Sequence, residues 1–217
     1  MNTPLQNSLG HLYGPGRTVE TDGMFPVWLE QDGSSIMGGI IDLQHVYTGS
    51  LKIVDVFPDS IRTGTPCHKE STGVYVPIPT YRVLEDVSAS DTTVIVANWD
   101  GCAKLKSGMK LVSANDTSKN VTLSGSNLAT NADGNYKITI TANALGTLSA
   151  DDCLVLDSAK DFNIKGLTKS NLEYKGADPT SKLNITLVDR GRILRNVAPV
   201  VSAGMKEKLQ TVKYEED

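Results

Sequence analysis

Three cysteines and three histidines are the side chains here best suited to chemistry near neutral pH. Cys67 and His68 are adjacent, a thiol beside an imidazole. A nucleophile and its base must come within about 3 Å. Neighbours in a strand point to opposite faces, so this pair is expected to diverge, with a packed Cys67 and an exposed His68. Cys102, Cys153, His11 and His45 are widely spaced and form no CxxC, so a zinc site would need distant segments to converge. The three thiols read as free and mostly buried, in a chain made in a reducing compartment.

The acidic residues are no more suggestive. Asp151-Asp152 after Ser149 reads as a cation ligand pair or as a solvated turn, the turn being the default. "TNADGNY", residues 130–136, lacks the acidic positions and closing Glu of a calcium loop and reads as a β-turn. "GPGRTV" follows no strand and opens no helix, so it is not a phosphate-binding loop, and GxSxG and HExxH do not occur. The sequons at Asn120 and Asn184 read as chance matches in strands. No catalytic residue, metal or cofactor is expected. A small hydrolase working through carboxylates is a third-ranked reading with no carboxylate pair to carry it. "DRGRILR" brings Arg190, Arg192 and Arg195 close together. They read equally as charged guards on a sheet edge or as donors for carboxylates on a partner.

The elements that would hold these residues are short strands. Residues 1–35 show no sustained period, but they carry the apolar anchors Leu12, Tyr13, Phe25, Val27 and Trp28, as an arm ordering against a neighbour would. From Ile36 to Pro79, "GGIIDLQHV", "SLKIVDVF" and "GVYVPI" read as strands, with a turn at Ser71-Thr72-Gly73. Pro77 and Pro79 cannot donate in a ladder, so that strand is expected at an edge, open to an added strand. Residues 81–157 read as a distinct all-β module, with Thr92, Val94 and Val96 on one face and turns at Ser107-Gly108 and "NADGNY". "KLNITLV" alternates, with Leu183, Ile185 and Leu187 on one face. Val201, Met205 and Leu209 then form one apolar stripe, predicting a short helix that Ser202 starts. Gly204 weakens it by about 1 kcal/mol relative to Ala. "YEED" reads as a polar acidic end.

Composition limits the partners. Of 217 residues, 39% are hydrophobic and 6% aromatic, below the roughly 45–50% apolar content usual for globular domains. Such a chain has modest cores or borrows burial from a partner. A net charge of −4 and a pI near 5.4 argue against nucleic acid. No run of about 20 apolar residues predicts a membrane span, and the first residues lack the pattern of a secretory signal.

One stretch carries a family resemblance. "IVDVFPDSIRTGTPCHKESTGVYVPI", residues 53–78, runs from an apolar segment into Gly-Thr-Pro, a short charged piece and Gly-x-Tyr-Val-Pro. It resembles the "AGTP(L/V)xK…(T/D)GKYVP" signature of head-decoration and head-fibre proteins of tailed bacteriophages. Gly64, Thr65, Pro66, Lys69, Gly73, Tyr75, Val76 and Pro77 fill matching positions. Cys67 and His68 replace the usual small or aliphatic residues. Gly191, Ile193 and Pro199 resemble the pattern that precedes the final short helix of such proteins.

The resemblance implies a mainly β chain in three parts. These are an extended N-terminal arm (1–35), a short-stranded capsid-binding unit (36–80 and 159–217) ending in one short helix, and an inserted, outward-facing β-sandwich or barrel (81–158). It implies a structural virion protein with no enzyme activity, a homotrimer made in the host cytoplasm and bound to the major capsid protein on the capsid exterior. Tyr13, Phe25, Trp28, Gly64, Thr65, Pro66, Tyr75, Pro77, Arg190, Arg192 and Arg195 would line the capsid or subunit interface. The inserted module could contact a host-surface glycan. The alternative is a carbohydrate-binding fibre or baseplate module.

Overall fold

A computed structural model describes residues 20–22, 25–31, 36–99, 101–174, 182–195 and 198–215. The fold is mainly β. The chain opens with β1 (Glu20–Asp22), β2 (Phe25–Gln31), β3 (Ile36–Asp42), β4 (Val46–Thr48) and β5 (Leu51–Lys52), then helix α1 (Ile53–Val56). Strands β6 (Ser60–Ile61), β7 (Pro66–Lys69), β8 (Tyr75–Pro77) and β9 (Thr80–Arg82) follow. The next stretch holds β10 (Thr93–Val96), β11 (Lys110–Ser113), β12 (Asn120–Thr122), β13 (Leu128–Thr130), β14 (Tyr136–Thr139) and β15 (Cys153–Leu156). The last holds β16 (Ile164–Thr168), β17 (Leu172–Glu173), β18 (Lys182–Val188), β19 (Gly191–Leu194), helix α2 (Ala203–Lys208) and β20 (Val212–Glu215).

Five strands close a barrel in the order β16-β18-β3-β8-β7. Its longest ladder runs from Ile36↔Val188 to Asp42↔Lys182, and β7 closes it by pairing Leu167 with Pro66. Ile41, Cys67, Tyr75, Leu167, Ile185 and Leu187 are buried there. The ring of Tyr75 lies across the backbone at Gly39, where a Cβ would sit 2.3 Å from it. Only a residue without a side chain allows that approach.

Residues 80–156 build two small sheets, β12-β11-β15-β9 and β10-β14-β13. The predicted turns are in place: Gly73, Gly108 and Gly134 all have positive φ, and Asn131 Oδ1 accepts from Asp133 N and Asn135 N. Val94, Val96 and Ile138 are buried on one side and Leu111, Leu154 and Leu156 on the other. One continuous apolar cluster joins these sheets to the barrel.

A further sheet, β1-β2-β19-β20, draws on both ends of the described chain. Here several sequence expectations fail. Residues 20–22 and 25–31 were expected to be irregular, yet they form strands, because β2 pairs with the distant β19 and β1 in turn pairs with β2. Trp28 is fully buried, and its indole N–H donates to Thr168 O at 3.2 Å. Tyr214 and Glu215, expected in a polar acidic end, belong to β20, which pairs in parallel with β19. Ile53–Val56, expected as strand, turns into α1 because the Asp55 carboxylate accepts from Lys52 N at 2.9 Å. The strand of Pro77 is no open edge, since β8 lies between β3 and β7. Proline is tolerated because Pro77 ends β8 and the chain leaves at once, Ile78 N donating to Pro66 O.

Helix α2 follows the predicted stripe. Val201, Met205 and Leu209 are buried, and Ser202 Oγ accepts from Met205 N. Among the described residues no helix is long and apolar enough to cross a membrane.

Candidate functional site

The Gly-Thr-Pro turn is braced against β16 rather than presented to solvent. Gly64 has φ +84, and a Cβ there would meet Ile193 Cδ1 at 2.9 Å, so both backbone and space require glycine. Gly64 N donates to Thr168 O at 2.9 Å, and Thr65 N to Thr168 Oγ1 at 2.9 Å. Both threonine hydroxyls donate to Arg62 O at 2.7 Å. Pro66 and Pro77 are buried, and Pro77 O accepts the Tyr47 hydroxyl.

Cys67 and His68 diverge as the strand geometry requires. Cys67 is fully buried, and burial pushes its thiol well above the ordinary range, which keeps it protonated. His68 stacks on Phe162 with ring centroids 4.6 Å apart, and Asn163 N donates to its Nδ1 at 3.1 Å. The pair therefore does not work as nucleophile and base. Burial also pushes the Cys153 thiol up to about 12, while Cys102 is half-buried and unbridged. Among the described residues no cluster of His, Cys, Asp or Glu is arranged to hold a metal.

The exposed part of the clasp is its rim. Lys69, Ser71, Thr72 and Gly73 are exposed at the β7–β8 turn. Lys69 Nζ lies 5.4 Å from the Tyr75 ring centroid, and Glu70 pairs with His45 Nδ1 at 3.5 Å. Val46, next to His45, and Ile40 on β3 are 44% and 43% exposed. Rigid turn residues thus carry a small mixed surface of charge, hydroxyl and apolar side chains.

The residues expected at an interface divide into three groups. Trp28, Gly64, Thr65, Pro66, Tyr75 and Pro77 are buried within the chain. Within the chain they hold the clasp in place. Tyr13 lies outside the described residues; so does the side chain of Phe25, whose backbone pairs in β2. The arginines have partners within the chain. Arg192 Nε pairs with Glu215 at 3.0 Å and Arg195 Nη2 with Asp151 at 3.3 Å. Arg190 sits in the turn before β19 and is also engaged. Nor do the arginines guard an edge, since β19 lies between β2 and β20.

Arg82 gave no signal in the sequence, yet it organises a charged junction. Its side chain is 5% exposed. It donates to Asp151 Oδ1 at 2.5 Å and to the carbonyls of Arg195 and Ala198 at 2.6 and 3.0 Å. Its guanidinium lies 5.2 Å from the Trp99 ring centroid, and that of Arg62 lies 6.0 Å away. Asp151 occupies a positive-φ turn, φ 71, while Asp152 accepts from Ser149 N. The acidic dipeptide therefore splits its duties between an arginine anchor and a turn.

Comparison with protein-family models, curated proteins and solved structures returns no match.

Proposed function

We propose that this protein is a structural component of a phage virion, docked on the outer face of the capsid and contacting the major capsid protein without turnover. The observation that carries this reading is the clasp from Gly64 to Pro77. Of the residues matching the decoration and head-fibre signature, Gly64, Thr65, Pro66, Tyr75, Val76 and Pro77 are buried and fix a barrel hairpin, while Lys69 and Gly73 lie on its exposed rim. A buried framework that holds an exposed rim in fixed shape suits a protein that works by fitting a lattice. Ile40 and Val46 supply exposed apolar area beside it, each worth a share of roughly 25 cal/mol per Å² once covered. Assembly as a trimer would offset the thin apolar content by burying more. The sheets of residues 80–156 would then face outward.

The test is co-sedimentation with capsids lacking their accessory proteins. The protein is expected to pellet with them, and Ile40→Asp/Val46→Asp is expected to remain folded and lose most of that binding. No binding by the unaltered protein overturns the reading, and a glycan array on the same protein is then the next measurement. Binding that survives the double substitution moves the contact away from this rim.

A further inference from the structure

The junction at Arg82 holds more donors than acceptors. A small cleft there is lined by Arg82, Arg195, Lys206, Asp151 and Tyr214, with Ala198–Val201 as its apolar wall. Among the described residues, three cations thus line the cleft with one carboxylate, and Asp151 already accepts from both arginines. Among the described residues, three donors on these side chains have no acceptor. The buried Arg82 Nε and the buried Tyr214 hydroxyl make no hydrogen bond. The Lys206 ammonium lies 5.0 Å from the Tyr214 ring centroid, and among the described residues no carboxylate lies within ion-pair reach of it.

Buried donors are normally satisfied, and leaving one unmade costs about 1–3 kcal/mol, more for a charged group. Two orphaned donors and an unpaired ammonium around one opening are the arrangement that an anion completes. Burial, then the charges of Arg195 and Arg82, pull the Lys206 ammonium below its ordinary range, as expected for a cation held among cations. Size narrows the ligand. The free volume is about 10 Å³, on the order of one water. One carboxylate oxygen fits that space, whereas a tetrahedral phosphate would have to displace Lys206 or Arg195.

We propose that this cleft is an oxyanion site that takes one oxygen of a carboxylate, carried either by an acidic side chain of a partner chain or by a small free acid. The site does not depend on the capsid reading. A carboxylate seated here would receive charge-assisted hydrogen bonds from Arg82 Nε, Lys206 Nζ and the Tyr214 hydroxyl. It would also tie α2 and β20 to the β9–β15 sheet.

The experiment follows the arginine Nε–H resonances of the whole protein by NMR. Acetate, N-acetyl-aspartate methylamide and inorganic phosphate are titrated against chloride at matched ionic strength. Acetate or the blocked aspartate is expected to shift the Arg82 Nε–H in a saturable way. Lys206→Gln and Tyr214→Phe, both folded by thermal melt, are each expected to weaken binding about tenfold. A stronger response to the blocked aspartate names a partner side chain as the source, and a stronger response to acetate names a free acid. A shift no larger than chloride produces leaves a water site and overturns the proposal. So does phosphate binding as tight as acetate, or binding unchanged in both variants.

Discussion

The barrel and the Arg82 junction both fasten distant parts of the chain, by opposite means. In the barrel, Ile41, Tyr75, Leu167 and Leu187 are sealed from water, and the backbone closes its own ladder. At the junction a nearly buried guanidinium holds Asp151 and two backbone carbonyls, beside side chains that stay partly wet. Apolar closure is insensitive to salt and intolerant of volume change. A charged junction tolerates shape but responds to ionic strength and to missing partners. The molecule keeps its fixed geometry in the first and its capacity to respond in the second.

The largest effect expected is from Trp28→Ala. It empties a fully buried site and removes one of the two donors to Thr168 O, Gly64 N remaining, and should cost about 3–5 kcal/mol in denaturant unfolding. A loss under 1 kcal/mol would mean that β2 is not docked on the barrel. Next comes Gly39→Val, whose Cβ would lie 2.3 Å from the Tyr75 ring. It should cost about 3 kcal/mol, and the cost should be the same in low and high salt.

Alkaline pH should weaken the sheet beside the junction. The Cys153 thiol is raised from 9.0 to about 12 in the folded chain, so above pH 9 the unfolded chain loses this proton first. The stability it contributes is whole below pH 9 and is lost as pH rises towards 12, at about 1.4 kcal/mol per pH unit for one proton. Buried Tyr81, raised from 10.0 by desolvation, adds to the fall above pH 10. Buried Cys67, also raised from 9.0 by burial, loses stability over the same range. Cys153→Ala should therefore make the fall above pH 9 shallower in a pH-dependent melt, and an unchanged slope would assign the fall to Cys67 and the tyrosines.

The smallest effect sharpens the contrast best. Asp151→Asn keeps a residue type that tolerates positive φ and removes the charge shared by Arg82 and Arg195. It should cost about 1 kcal/mol at low salt. The gap from the unaltered protein should shrink near 1 M salt, where the Debye length is about 3 Å. A salt-independent loss would make the junction a packing contact and erase the distinction from the barrel.

Local chemistry was legible in the sequence. The turns at Gly73, Gly108 and Gly134, the alternation of Leu183, Ile185 and Leu187, and the stripe of α2 all depend on neighbours within a few residues. Strands β2 and β20 were not legible, since both are ordered by β19. Helix α1 was misread because its four residues suit either state until Asp55 reaches back to Lys52. At the candidate site, the clasp residues stood out by type, but their burial depends on β16, about a hundred residues on. The Arg82 junction left no trace, because its partners lie 69 and 113 residues away.

That long reach sets an order of events during synthesis. Trp28 leaves the ribosome 140 residues before Thr168, the residue whose carbonyl it needs. At roughly 5–20 residues per second, it waits on the order of ten seconds with its indole uncovered. Strand β2 waits longer still, for β19. Nascent chains released early would expose this segment, so it is where a chaperone would hold them and where aggregation of truncated products would begin.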